Sequence, residues 1–565
     1  MAEAAPSIPK TEYAVQLIGP SKLTLNREKP VVMPGPTQVL AKVEAVGLCF
    51  SDLKLLKQFN SHVRKVPVVR GIDQKVLSEI PSYVPNEAPT VPGHEVCCRI
   101  VAVGSAAKHH KVGERCLVQT DYRTLRTAAE SNAAFGYNFE GGLQEYVLMD
   151  ERVIMEPASG ERFLIPVSEK LSASAIALVE PWACVENSYA TAERQTIKAG
   201  GKLLVVADAG RALEGVQTLV AAHTPASITA FVADDAQKKA LSELSVKAEL
   251  ASGLAALPDE SFDDIIYFGK QKQTIELLND KLGTRGIINI VLGGLRIGAP
   301  VSVGIGRVHY RLTRWIGTTG TNAASSYSLI PANGELRAGE KMLVIGAGGP
   351  MGQMHVIRAI CSGLSNVSVC GTDMDDGRIA ALAQKAVPLA KANGVSLRLI
   401  NTQKEKLQEK FSYFGIMAPV GAIVAAAIKD AAPGALINVF AGIPAPTRHD
   451  MDLDTYIQNG CFMFGTSGSV LSDMKTCLRK LEAGRLDTDC SVDAISGMAG
   501  AADGIAAVEN RTLAGKIIVY PMLHELGLIP LGELSKRFPT VAEKLQNGVW
   551  CKEAEEELLR VAAKT

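Results

Sequence analysis

The stretch KMLVIGAGGPMGQMHVIRAI, residues 341–360, decides the fold of the second half of this chain of 565 residues. Its apolar start predicts a buried strand, its glycines predict a tight turn, and the remainder predicts a helix. Glycine permits positive φ in such a turn and lets the backbone approach a pyrophosphate at the helix N-terminus. We therefore expect a dinucleotide site at this turn, formed by Gly346, Gly348, Gly349 and Gly352.

The next predicted strand ends at Asp373, about 20 residues after the turn. A carboxylate there can accept hydrogen bonds from a ribose 2′-hydroxyl and would repel a 2′-phosphate, which favours NAD over NADP. The glycine spacing departs from G-x-G-x-x-G because Met351 stands where the third glycine would fall. It fits G-x-x-G-x-x-G instead.

The same pattern occurs a second time, 139 positions earlier. AGGKLLVVADAG at 199–210 aligns with AGEKMLVIGAGG at 338–349, and the strand ending at Asp234 aligns with the one ending at Asp373. Further on, RWIGTTG at 314–320 resembles FMFGTSG at 462–468, now 148 positions apart. We interpret this repeat as two successive Rossmann-type units.

The first copy has lost its phosphate-binding turn. Ala207, Ala209 and Leu213 stand where the second copy has glycine, and Asp208 adds a negative charge where a pyrophosphate would arrive. We expect this copy to bind no dinucleotide and to serve a structural role, as a wall or spacer for the substrate site.

Composition excludes several classes of protein. Apolar residues make up 47% and charged residues 21%, which is ordinary globular usage, and 59 basic residues balance 59 acidic ones. A net charge of zero gives no global field for nucleic acid or an anionic membrane. The first residues do not resemble a secretory signal, and the 11 cysteines are scattered without a disulfide pattern. We expect a cytoplasmic protein without a nucleic-acid or membrane partner.

The first third of the chain is predicted to be β-rich and carries candidate metal ligands. The predicted strands lie at 37–48, 96–104 and 143–149. GLCFSDLK at 47–54 offers Cys49, PGHEV at 92–96 offers His94 and Glu95, and LVEPW at 178–182 offers Glu180. Thiolate, imidazole and carboxylate are the ligand types that zinc takes, so we expect one zinc site here.

These motifs, in this order, resemble the zinc-dependent medium-chain dehydrogenases, and among them the polyol (sorbitol-type) dehydrogenases and the related sugar-phosphate reductases. The resemblance rests on five stretches: Gly47–Asp52, Pro92–Val96, Val112–Arg115, Gly141–Val147 and Glu180–Pro181. It covers residues from about 35 to 205 and again near the end.

The resemblance implies a function and roles for individual residues. Cys49, His94 and Glu95 would hold one catalytic zinc, Glu180 would bind it directly or through water, and Ser51 would begin a proton relay. Ser51, Glu95 and Glu180 are thus the expected catalytic residues. The reaction would move a hydride between NAD(H) and a secondary alcohol or ketone of a polyol, sugar or sugar phosphate. A homo-oligomer, dimer or tetramer, is also expected.

Three features depart from the family pattern. The region 119–139 lacks the four clustered cysteines of a structural zinc lobe, so we expect no second zinc. The spacing between Cys49 and His94 is long, with an insertion around 62–89, and the Rossmann unit is duplicated. Two alternatives therefore stay open: a metal-free quinone or enone reductase of the same superfamily, and a non-catalytic NAD-binding regulator or scaffold.

The expected fold class is α/β, with a GroES-like β-rich catalytic domain and two tandem Rossmann-type doubly wound units. The expected boundaries are 1–194 for the catalytic domain, 195–330 and 331–475 for the degenerate and NAD-binding units, 476–520 for a return segment, and 521–565 for a helical extension. Within that extension, 533–546 and 552–565 have the apolar spacing of amphipathic helices.

Overall fold

The structure, a computed structural model, describes residues 8–562. The chain forms two compact units. The first runs to Glu186 and resumes at Ser469, and the second is Asn187–Gly468. Within the described residues, no helix is long and apolar enough to cross a membrane.

In the first part of the chain, the described residues form ten strands and four helices. The strands are β1 (Thr11–Gly19), β2 (Lys22–Pro30), β3 (Gln38–Gly47), β4 (Val68–Arg70), β5 (Glu95–Val103), β6 (Arg115–Val118), β7 (Asp121–Thr127), β8 (Asn132–Ala134), β9 (Tyr146–Asp150) and β10 (Leu164–Pro166). The helices are α1 (Phe50–Gln58), α2 (Gln74–Ser78), α3 (Ala173–Ala177) and α4 (Val179–Tyr189).

The middle of the chain alternates strands and helices. The strands are β11 (Lys202–Ala207), β12 (Ser227–Val232), β13 (Ala248–Leu250), β14 (Phe262–Phe268), β15 (Leu282–Val291), β16 (Val301–Val303), β17 (Arg314–Thr318), β18 (Lys341–Ile345), β19 (Ser368–Asp373), β20 (Ser396–Asn401), β21 (Phe411–Ile416), β22 (Ala431–Val439), β23 (His449–Met451) and β24 (Phe462–Phe464). The helices are α5 (Val216–Ala222), α6 (Asp235–Ser242), α7 (Lys272–Lys281), α8 (Ile305–Tyr310), α9 (Ala323–Ser328), α10 (Pro350–Ile360), α11 (Asp376–Asn393), α12 (Gly421–Lys429) and α13 (Leu453–Gln458).

The last part of the chain returns to the first unit. Its strands are β25 (Val492–Ser496), β26 (Lys516–Val519) and β27 (Ile529–Pro530), and its helices are α14 (Leu471–Glu482), α15 (Ala501–Asn510), α16 (Leu534–Arg537), α17 (Pro539–Ala542) and α18 (Lys552–Ala562). The helix expected over 533–546 is thus two short ones, because Pro539 cannot continue a helix and disfavours helical backbone at Phe538.

The first unit is built on an eight-stranded sheet with the order β10-β6-β5-β3-β26-β25-β27, in which β9 also pairs with β3. The three strands expected from the sequence, now β3, β5 and β9, are therefore neighbours in one sheet. Val39, Val43, Val96 and Val147 from these strands are fully buried in its core. Because β26 pairs with β3, a strand from the last part of the chain lies against the strand that leads to Cys49.

The second unit is built on one twelve-stranded sheet with the order β13-β12-β11-β14-β15-β17-β24-β22-β21-β18-β19-β20. Counted within each half of the repeat, the strands follow the order 3-2-1-4-5-6, then the same order reversed. That order is typical of a dinucleotide-binding fold. The two halves join through their last strands, β17 and β24.

The two halves pair with each other at equivalent positions of the repeat. β17 and β24 run antiparallel and pair at Trp315 and Met463, two residues that are each other's counterparts in the repeat. β16 and β23 also pair antiparallel, centred on the counterparts Ser302 and Asp450. In both pairings one residue pairs with its own counterpart, as happens at the interface between two copies of one fold in a symmetric dimer.

Candidate functional site

Cys49 is placed by the turn from β3 into α1. It is the residue immediately before the helix, and its backbone N–H donates to Asp52 Oδ2 at 3.0 Å. A carboxylate at the third helical position satisfies an amide that the helix leaves free, so Asp52 fixes where α1 begins. The thiol of Cys49 is partly exposed.

His94 and Glu95 lie at the start of β5, beside the end of β3. Gly47 and Glu95 are paired residues in that antiparallel ladder. A Cβ at Gly47 would lie 2.1 Å from Glu95 Oε2, so only glycine leaves room for this carboxylate. The G-x-C stretch therefore serves two ligands, since it positions Cys49 and makes space for Glu95.

The structure brings Cys49, His94 and Glu95 together, with one ligand atom of each within 4.8 Å of the others. His94 and Glu95 are buried, and in the described part of the chain Glu95 Oε2 has no hydrogen-bond partner. A buried, unpaired carboxylate oxygen is costly unless something binds it. This oxygen, the thiol and the imidazole fit a zinc ion.

Asp52 has a second contact that orients His94. Its Oδ1 lies 3.0 Å from His94 Nδ1, which leaves the other ring nitrogen, Nε2, for a metal. Burial alone would lower the pKa of His94, but the Asp52 carboxylate, Tyr137 and Cys49 together raise that pKa well above its ordinary value. The sequence motif contained Asp52, yet this role was not predicted; its position three residues after Cys49 was the available signal.

Lys516 holds the other oxygen of Glu95. Its Nζ donates to Glu95 Oε1 at 2.5 Å and to the Leu48 carbonyl at 2.7 Å. Burial lowers the pKa of Lys516, but Glu95, with Cys49 and Glu180, more than offsets this effect and raises the pKa to about 12. Lys516 lies on β26, and no sequence motif connects it with Glu95.

Ser51 lies directly at the ligand set. Its Oγ is 3.0 Å from Cys49 Sγ and 3.4 Å from His94 Nε2. A hydroxyl there can exchange a proton with a group bound at the same place.

Glu180 lies outside the compact group of three. It is partly buried near the start of α4. Burial raises the pKa of its carboxyl to about 7, His94 opposes that shift, and the Glu95 carboxylate adds to it.

The candidate dinucleotide turn is in the second half of the repeat, between β18 and α10. Gly346 has φ of +82°, and a Cβ at Gly352 would lie 2.1 Å from the Gly346 carbonyl oxygen. Asp373 accepts hydrogen bonds from the backbone N–H groups of Gly348 at 3.0 Å and Met374 at 2.8 Å. A close turn at a helix N-terminus, with a carboxylate at the next strand end, fits NAD.

The corresponding turn of the first half is occupied by its own side chains. The Tyr267 hydroxyl donates to Asp208 Oδ1 at 2.9 Å. Arg211 donates to the carbonyls of Val291 and Leu292, at 3.1 and 2.9 Å, where β15 ends. The counterpart of Arg211 in the second half is Pro350, which begins α10 and carries no donor.

Asp234 does not distinguish the halves. It accepts from Gly210 N at 2.9 Å, and Asp373 accepts from Gly348 N at 3.0 Å, one position earlier in the same turn. The two halves therefore differ in the residues of the turn after their first strand, and in Arg211, which has no counterpart donor in the second half.

Comparison with known proteins gives one family match. Residues 35–158 match the alcohol dehydrogenase GroES-like domain. This stretch contains Cys49, His94 and Glu95, and it begins just before β3.

Two curated relatives illustrate the similarity in sequence. An uncharacterized zinc-type alcohol dehydrogenase-like protein, YphC of Escherichia coli, is 31% identical over 154 residues, which are 25% of this chain and 39% of YphC. The L-sorbose 1-phosphate reductase of Klebsiella pneumoniae is 25% identical over 350 residues, which are 55% of this chain and 76% of that protein. The chain thus spans well under half of YphC.

Among solved structures, 2R,3R-butanediol dehydrogenase from Bacillus subtilis superposes with a TM-score of 0.51 at 14% identity, covering 90% of this chain and all of that one. At this identity the likeness concerns the fold alone.

Proposed function

We propose that this chain, which carries the GroES-like domain of alcohol dehydrogenases and is related to the zinc-type members, is a zinc- and NAD-dependent oxidoreductase. It transfers a hydride between NAD(H) and a secondary alcohol or ketone. The observation that carries the proposal is the buried, unpartnered Glu95 Oε2 beside Cys49 and His94, within the described residues.

The metal half of the proposal assigns each residue a task. Cys49, His94 and Glu95 would hold zinc, Asp52 orients His94, and Lys516 binds Glu95 Oε1, which leaves Oε2 for the metal. Ser51 receives the hydroxyl proton of the substrate and passes it outward, since its Oγ lies 3.4 Å from His94 Nε2. When bound, zinc supplies Lewis-acid polarisation of a substrate oxygen and NAD supplies the hydride acceptor.

Glu180 is proposed as a partner of the same ion, directly or through water. Burial and the Glu95 carboxylate raise the pKa of its carboxyl to about 7, against the opposing effect of His94. A cation at the site would favour its ionised form.

The cofactor half of the proposal places NAD in the second half of the repeat. The turn at Gly346–Gly352 receives the pyrophosphate and Asp373 binds the adenosine ribose. The substrate class is a polyol, sugar or sugar phosphate, which is supported by the name of the L-sorbose 1-phosphate reductase relative.

Metal analysis together with an activity screen tests the proposal. The purified chain is expected to hold one zinc and to reduce NAD with a polyol, sugar or sugar-phosphate substrate. Cys49→Ala should lose both the zinc and turnover while the chain stays folded, because the ligand sits on a sheet that forms without it. Cys361→Ala, a partly exposed cysteine in the other unit, is the matched control and should keep both.

The outcomes separate the alternatives. NAD-linked reduction of quinones by a zinc-free chain would favour the metal-free reductase, and NAD binding without turnover on any of these substrates would favour the regulator. A Cys49→Ala protein with full zinc and full activity would contradict the ligand assignment.

A further inference from the structure

Helix α8 of the first half of the repeat packs on the second half, against the loop that follows β22. Its Gly306 N–H donates to the Thr447 carbonyl at 3.2 Å. A Cβ at Gly306 would lie 2.0 Å from the Pro444 carbonyl oxygen, so the helix backbone lies directly on this loop. The loop leaves β22 at its carboxyl end, and ligands of such sheets bind outside the carboxyl ends of the strands.

The last two residues of α8 flank that carboxyl end. His309 Nδ1 lies 3.4 Å from the Val439 carbonyl, the last residue of β22. The Tyr310 hydroxyl lies at Gly442, where a Cβ would be 2.8 Å from it. The two rings meet edge to face at 4.6 Å between centroids, and Tyr310 remains 39% exposed.

Helix α13 of the second half makes the reciprocal contact, with different chemistry. Its Asp454 accepts from the backbone N–H groups of Ile297 and Gly298, at 2.9 and 2.8 Å, in the loop after β15. The counterpart of Asp454 in the repeat is Gly306. The loop after β15 is therefore bound by the side chain of Asp454. The loop after β22 is contacted at the equivalent position only by the backbone of Gly306.

The aromatic pair is also found on one side only. The counterparts of His309 and Tyr310 are Ile457 and Gln458, the last two residues of α13, and Ile457 contacts Gly317 of the first half. In the first half, Arg211 and Asp454 bind the strand end and the loop that follow β15. In the second half, the partly exposed Tyr310 lies at Gly442, in the loop that follows β22.

We propose that the first half of the repeat completes the cofactor site of the second, with Tyr310 forming the wall at the nicotinamide end. This inference rests on the proposed function. Asp373 places the adenosine end at β19, so the nicotinamide end extends across β21 to β22, where Tyr310 lies. Tyr310 acts as a binding residue through the face of its ring.

NADH titration followed by fluorescence tests this directly. Tyr310→Ala is expected to weaken NADH binding about 5- to 10-fold, the loss of one aromatic contact, and Tyr310→Phe to weaken it less than about 3-fold. Gln458→Ala, the symmetry-related position, should bind NADH like the unmodified chain. Equal NADH affinity for Tyr310→Ala and the unmodified chain would overturn the inference.

ADP-ribose, which lacks the nicotinamide, separates a local effect from a general one. Its affinity should be the same for Tyr310→Ala and the unmodified chain. If ADP-ribose weakens as much as NADH, Tyr310 acts through the fold and the inference is wrong. Failure of the unmodified chain to bind NADH would instead contradict the proposed function itself.

Discussion

The carboxylate of Asp52 makes two contacts that position the proposed metal ligands. One oxygen fixes the start of α1 through Cys49 N, and the other faces His94 Nδ1. Through these two contacts, Asp52 positions two of the three proposed ligands, Cys49 and His94, relative to each other. A residue that touches no metal can therefore control how well the metal is held.

Asp52→Asn is expected to lower zinc affinity about 10- to 100-fold, because an amide cannot match the carboxylate at both contacts. Competition with a chromogenic chelator measures this on the purified chain. Asp503→Asn, which changes an exposed acid on α15, is the control and should leave zinc affinity unchanged. An Asp52→Asn chain with unaltered affinity would show that the helix alone orients His94.

The sequence predicted the three clustered residues of the site because each lies in a short motif with a recognisable turn. Lys516 could not be found in this way. It is 421 positions from Glu95 and reaches it only because β26 pairs with β3. Pairing between strands so far apart in the sequence depends on the whole sheet, and the sequence of one strand does not identify its partner.

At the scale of elements, the C-terminal helix α18 is tied to α3 by a buried carboxylate. Glu555 accepts from the backbone N–H groups of Ala173 and Ser174, at 2.6 and 2.9 Å, and from the Tyr520 hydroxyl at 2.9 Å. The two amides open α3 and have no partner within the helix, so Glu555 caps it from the far end of the chain.

Glu555→Ala should weaken the packing of α18 on α3, because each buried amide left without an acceptor costs about 1–3 kcal/mol. Hydrogen exchange is expected to accelerate in α3 and α18 and to remain unchanged in the twelve-stranded sheet. Glu556→Ala, one residue on and exposed, provides the comparison and should leave exchange as it was. Unchanged protection in Glu555→Ala would mean that apolar packing alone holds the helix.

The repeat predicted the elements of both halves, but not how the halves meet. The sequence pattern of β17 and β24 predicts two strands, but it does not indicate which strands they pair with. Their antiparallel pairing at Trp315 and Met463 joins two sheets into one, and it depends on two edges that fit each other. Sequence similarity between the halves does not encode that fit.

At the scale of the whole molecule, one chain is expected to bind one NAD. Equilibrium titration measures the stoichiometry, and a value of two would show that the first turn still functions. Asp373→Ala should weaken NAD binding and reduce the preference over NADP, because the ribose acceptor and the repulsion of the 2′-phosphate are lost together. Asp234→Ala is the matched control and should change neither; the reverse result would assign NAD to the first half.

The antiparallel join at Trp315 and Met463 has an evolutionary consequence. In an assembly of two identical chains, every substitution is copied to both sides of the axis, so neither site can change alone. Here the two sides are encoded separately. Tyr310 and Gln458 occupy equivalent places with unlike side chains, which no homodimer could achieve. In a single chain, therefore, a substitution in one half does not have to be repeated in the other, and the two halves can carry different side chains at equivalent positions.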